Sequence, residues 1–222
     1  MYKRQTYDHV VKFEDPDFLY TLATVQLGGR LTLRLANADV LPLRVDNFTR
    51  TVTKYASEVK KLAGDLRTQT AARNALIQSG AMQLAADPRQ TFIQPKPREP
   101  VPFLNFAPLE NALTRLDAAT RAFTALDLSQ LSPEKAKALD AILMRTERVL
   151  TRPEGLPRRP WFRHMIYAPG FYTGYGVKTL PGIREALEQR FWQEAGEQIG
   201  YTANALEAFA AEVERAAKVT SN

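Results

Sequence analysis

The chain has 222 residues, 45% of them hydrophobic, with 30 Lys and Arg against 24 Asp and Glu for a formal net charge of +6. This is enough apolar material for one large or two small cored domains, and the lack of cysteine excludes disulfides, thiolate metal sites and a cysteine nucleophile. No run of about 18 apolar residues is present to span a membrane, and Met1–Thr6 lacks the apolar stretch of a secretory leader.

The predicted elements are mainly helical. Asp15-Pro16 reads as an N-cap followed by proline at the first helical position, and Phe18, Leu19, Leu22, Ala23 and Leu27 follow at helical spacing. Gly28-Gly29 weakens that helix, and Leu31, Leu33 and Leu35 then alternate as in a strand, so 30–36 fits helix or strand. Phe48, Val52, Tyr55, Val59, Leu62 and Leu66 are spaced four, three, four, three and four, a seam along one helix face. Residues 95–108 hold Pro95, Pro97, Pro100, Pro102 and Pro108 and read as an extended strap that cannot continue a helix. Leu109, Leu113, Leu116, Ala119, Phe123 and Leu126 form the next seam, and Ser132-Pro133 caps a helix carrying Leu139, Ile142, Leu143, Val149 and Leu150.

Residues 153–182 are rich in proline, glycine and aromatics, and a loop this long is expected to be functional or packed by its own side chains, here Trp161, Phe162, Tyr167, Phe171, Tyr172 and Tyr175. A last helical region runs from Ile183 to about Val219, with Gly196 and Gly200 marking a break or a close helix contact. These seams predict an all-α chain, an antiparallel bundle of the four-helix type with a long loop before the last helices. A helix with a surplus apolar edge must bury it on a partner.

The residue types give little chemistry. His9 reads as a surface histidine and His164 as a hydrogen-bonded one in the aromatic loop; two histidines so far apart, with no paired-ligand spacing, do not make a zinc site. No glycine-rich phosphate loop or nucleophile elbow occurs. Glu185 and Glu188 read as a solvated helix face, and Arg158, Arg159 and Arg163, the densest basic cluster, as solvated surface. The positive charge alone would allow a free-standing nucleic-acid-binding helical protein. No catalytic residue and no metal ligand is assigned.

Two pairs of segments carry a resemblance. The first is Thr6-Tyr-Asp-His-Val-Val-Lys-Phe-Glu-Asp-Pro-Asp-Phe18 with Leu35-Ala-Asn-Ala-Asp-Val-Leu-Pro-Leu43. The second is Gly155-Leu-Pro-Arg-Arg-Pro-Trp-Phe-Arg-His-Met-Ile-Tyr-Ala-Pro169 with Leu180-Pro-Gly-Ile-Arg-Glu-Ala-Leu187. Together they resemble the transferrin receptor-like dimerisation domain, the C-terminal helical domain of glutamate carboxypeptidase II, its relatives and the transferrin receptor. The likeness runs over 1–222, with 68–108 longer than in the carboxypeptidase.

The resemblance implies a homodimer and a preceding protease-type domain that holds two zinc ions, their Asp, Glu and His ligands and the general-base Glu; this chain itself holds no cofactor. It places the last zinc-ligand histidine at or just before Met1, so that the chain begins past the catalytic part. It also implies that 170–178 lends a substrate-binding loop to the neighbouring active site. There the carboxypeptidase uses a Lys-Tyr pair on a glutamate side chain, and this chain has Gly174 and Tyr175, with Lys178 out of register. Tyr175 is retained and the charge is lost, so a peptide substrate is expected without strict glutamate preference. No nucleic acid or membrane partner is expected on this reading. The compartment stays open: a cysteine-free chain suits cytoplasm and periplasm alike, and the resemblance points to a periplasmic or secreted parent.

Overall fold

The computed structural model describes residues 6–221, so most of Met1–Thr6 lies outside the described residues. A short helix α1 (Tyr7–His9), continued by a π turn over Val10–Glu14, leads to α2 (Leu19–Ala36). Asp15 caps α2, though not at the position expected. Phe18 adopts a left-handed conformation (φ 56°) and starts the helix three residues late. The Asp15 carboxylate spans the gap, accepting from the amides of Tyr20 (3.2 Å) and Thr21 (2.7 Å). Residues 30–36 are helical: three alternating leucines are too short a run to outweigh a helix already under way.

α3 (Val45–Gln78) buries Val52 and Val59 of the predicted seam and half-buries Phe48, Tyr55, Leu62 and Leu66. After α4 (Ala81–Leu84) the chain runs without regular structure to Phe106, as the prolines require. This strap is fixed along the second half of α3. Asn74 donates to the Arg98 carbonyl (2.7 Å) and accepts from the Arg98 amide (2.9 Å), and Gln94 donates to the Ile77 carbonyl (2.9 Å). Pro108 lies in the first turn of α5 (Ala107–Thr124), where a missing N–H is harmless. α6 (Pro133–Thr146) begins as predicted, with the Ser132 hydroxyl accepting from the Lys135 amide (3.4 Å).

The long loop contains one antiparallel pair, β1 (Tyr167–Pro169) with β2 (Val177–Thr179), in which Ala168 faces Lys178. The expected last helix is two: α7 (Pro181–Gln189) and α8 (Trp192–Ser221). The break falls at Arg190, which is left-handed (φ 63°), and not at Gly196 or Gly200. The guanidinium of Arg190 donates to Thr70 Oγ1 (3.1 Å) and to the Glu99 carbonyl (3.0 Å) and lies over the Trp192 ring, 5.1 Å from its centroid. Those contacts hold a backbone conformation that a non-glycine residue adopts only at a cost of about 1–2 kcal/mol.

The described residues are therefore all-α apart from one small hairpin, as the seams predict. The four seams meet around α8: α5, α6 and α7 pack on it, and α3 packs on α5 and α7. Ile199, Leu206, Ala210 and Val213 share one core with Leu109, Leu116, Leu139, Ile183 and Leu187. Thr49 and Thr120 satisfy each other across α3 and α5 (2.7 Å). α2 stays outside this core. All its residues are exposed, including Leu19, Tyr20, Leu22, Val25, Leu27, Leu31, Leu33 and Leu35. It is the helix with the unburied apolar edge. No described helix is long and apolar enough to cross a membrane.

Candidate functional site

The residues singled out from the sequence, Gly174 and Tyr175, sit at the tip of the β1–β2 hairpin. Proline ends the ladder at Pro169, and the turn beyond closes on itself: the Gly170 amide donates to the Gly176 carbonyl (2.8 Å) and the Gly174 amide to the Gly170 carbonyl (3.2 Å). A Cβ at Gly170 would lie 2.0 Å from Thr173 Oγ1, so any other residue there must displace that exposed side chain. Gly174 has φ +65° and open space around it. Tyr175 is 99% exposed and Tyr172 76%. Residues 171–177 all project from the bundle.

The aromatic loop packs less than expected. Met165, Ile166, Leu156 and Ala168 bury it, whereas Trp161, Tyr172 and Tyr175 face solvent. An aromatic needs a cavity of its own size to be covered, and the two-stranded hairpin offers only its Ala168 side to the core.

α7 holds the hairpin from below. Glu185 and Glu188, expected as a solvated pair, behave differently. Glu188 is exposed and takes Lys178 Nζ on both oxygens (2.8 and 2.9 Å). Glu185 is buried; its Oε1 accepts from the Phe171 amide (2.7 Å) and its Oε2 from Arg159 (2.5 Å). Arg159, expected on the surface, is only 3% exposed. Its other terminal nitrogen donates to the Pro169 carbonyl, and its guanidinium lies 5.6 Å from the Phe162 centroid and 5.8 Å from that of Phe171. The sequence hid this pair because its members are 26 residues apart across a loop; the only signal was that both fall in the second pair of family-like segments. Arg158 remains partly exposed and pairs with Glu194 (2.7 Å).

Four basic groups around the hairpin are engaged: Lys178 with Glu188, Arg184 with Glu58, Arg158 with Glu194 and Arg159 with Glu185. What the tip offers is neutral, a phenol that donates and accepts hydrogen bonds together with aromatic and glycine surface.

A second cluster lies at the base of the hairpin. His164 stacks on Tyr167 (centroids 4.3 Å apart), and Glu147 accepts from Tyr167 Oη (2.8 Å) and contacts His164 Nε2 (3.0 Å). The Ile166 amide donates to His164 Nδ1 (3.2 Å), which places the imidazole proton on Nε2, facing Glu147. Burial lowers the His164 pKa against the opposing pull of Glu147, and burial with the Glu147 contact pushes the Tyr167 hydroxyl up to about 12. His164 is the hydrogen-bonded histidine expected. His9 is half-buried, not fully exposed, because it sits 3.3 Å from Glu14 and against Phe13. Among the described residues no three His, Asp or Glu side chains converge as a metal ion needs, so these residues do not fit the zinc that the resemblance implies for the longer protein.

The chain is similar to the probable glutamate carboxypeptidase LAMP1 of Arabidopsis thaliana, 28% identical over 177 residues that cover 80% of this chain and 21% of the relative. A probable glutamate carboxypeptidase of Arthroderma benhamiae is 27% identical, covering 90% of this chain and 24% of the relative, and aminopeptidase NAALADL1 of Rattus norvegicus is 25% identical, covering 93% and 25%. The chain therefore spans about a fifth to a quarter of the length of these relatives. The family model of the transferrin receptor-like dimerisation domain matches residues 104–214, from the end of the strap through most of α8. The chain belongs to the transferrin receptor-like dimerisation domain family.

Proposed function

We propose that this chain is the dimer-forming helical part of a longer zinc peptidase of the glutamate carboxypeptidase or aminopeptidase type, and that 170–178 faces the peptide in the neighbouring active site. The observation that carries the proposal is the hairpin. A tip with Tyr175 fully in solvent is mounted on α7 by two carboxylates, an arrangement that presents a side chain outward and adds nothing to the core. The relatives' names support a peptidase, and the apolar surface of α2 supports attachment to further protein. An 18-residue helix with Gly28-Gly29 and no buried side chain is marginal in water on its own. In this proposal it packs against the peptidase-type domain, which brings the two zinc ions and their ligands.

The neutral tip defines a substrate expectation. With Gly174 at the tip and Lys178, Arg158, Arg159 and Arg184 held in ion pairs, a peptide with a neutral residue at the contacted position is favoured over one with glutamate. The nucleic-acid reading rests on net charge alone, while Lys60, Arg115, Arg158 and Lys178 are drawn into ion pairs, and we do not adopt it. The test is Tyr175→Phe in the longer protein. Loss of one hydrogen bond should raise KM for a peptide roughly threefold to tenfold, with zinc content unchanged. An unchanged KM would remove the loop from the peptide site.

A further inference from the structure

We infer that Arg159 and Glu185 are positioning residues for the loop 170–177, setting its direction from within the domain. The inference rests on the proposed function only for what the loop touches. A buried ion pair is a weak source of stability, because desolvation offsets its attraction and apolar replacements are often neutral. Its presence here asks for a geometric role, and the hydrogen bonds supply one. Arg159 grips the Pro169 carbonyl and Glu185 accepts from the Phe171 amide, the backbone groups on either side of Gly170. The β ladder ends at Pro169, opposite Val177, and proline has no N–H with which to extend it. Beyond that point the backbone of the tip keeps only its own turn bonds, Gly170 to Gly176 and Gly174 to Gly170, and the two side chains tie its outgoing limb to the bundle. Glu188, three residues along the same helix, holds the returning strand through Lys178, so one face of α7 anchors both limbs. The Glu188 contact is exposed and weak, whereas the Arg159–Glu185 pair is dry, and it is this pair that fixes the angle at which the tip leaves the bundle.

Hydrogen exchange on the 222-residue chain tests the inference. Arg159→Met combined with Glu185→Leu keeps the packing volume while removing the grip. The Phe171 amide should then exchange about tenfold faster or more, while the amides of Ile199 and Leu206 in α8 keep their protection. Glu185→Gln alone leaves one amide oxygen for two donors, Arg159 and the Phe171 N–H, and should also speed exchange at Phe171, by less than the double variant does. Unchanged exchange at Phe171 in the double variant would overturn the inference. So would parallel acceleration in α8, which would make the pair a support of the bundle. In the longer protein the same double variant should raise peptide KM. A loosened loop with unchanged KM would leave the positioning role intact and remove the peptide-facing reading instead.

Discussion

α2 and α8 are both rich in periodic apolar residues, and the fold treats them in opposite ways. α8 is surrounded by α5, α6 and α7 and loses Ile199, Leu206, Ala210 and Val213 to the interior; α2 leaves all its leucines in solvent. The contrast shows that an apolar seam states a demand for burial without naming the partner. For α8 the partner is this chain. For α2 the described residues supply none, and in our proposal the longer protein does.

The largest effect that sharpens the contrast is mutational. Leu206→Ala should destabilise the chain by roughly 2–5 kcal/mol, and Leu31→Ser should stay within about 0.5 kcal/mol, both read from urea midpoints. In the longer protein, where we place α2 against the peptidase-type domain, Leu31→Ser should cost roughly 2 kcal/mol. Equal effects of the two changes in the isolated chain would break the contrast.

Next in size is Gly174→Lys. The side chain has room, while the backbone at φ +65° should make the change cost roughly 1–2 kcal/mol of stability. In the longer protein it should move peptide preference toward an acidic residue by roughly tenfold or more, as one charge-assisted contact allows. No shift would show that the tip does not meet the side chain that sets specificity.

These positions also show how far the sequence could be read. The heptad spacing of α3 and α5 and the Ser132 cap were legible because each depends on residues within a turn or two. The Arg190 break was not: glycine marks breaks by its own backbone freedom, whereas Arg190 is held by Thr70, Glu99 and Trp192, two of them far away in sequence. Tyr175 and Gly174 were singled out through the family-like segments alone. The Arg159–Glu185 pair beneath them was misjudged because charge pattern on one helix cannot reveal a partner brought in by a loop.

A smaller effect comes from pH. Burial lowers the His164 pKa below its free value of 6.5, so the unfolded chain takes up the proton first as pH falls. Stability should be level above about pH 6.5 and decline below it until the folded pKa is passed. Protonation at Nδ1 would also set two donors, Nδ1–H and the Ile166 amide, against each other. His164→Asn should flatten this slope, measured from urea midpoints at about pH 7.5 and about pH 5.5; a slope identical to that of the unaltered chain would assign it to other groups.

The central claim, that this helical domain joins two copies of its protein, is tested most directly by sedimentation equilibrium of the chain over a concentration series reaching about 100 μM, above the micromolar range that weak interfaces occupy. The account predicts a reversible rise from the 25.0 kDa monomer toward twice that mass. A single 25.0 kDa species at every concentration would show that the dimer needs the rest of the longer protein, and a longer protein that is also monomeric in the same measurement would contradict the account.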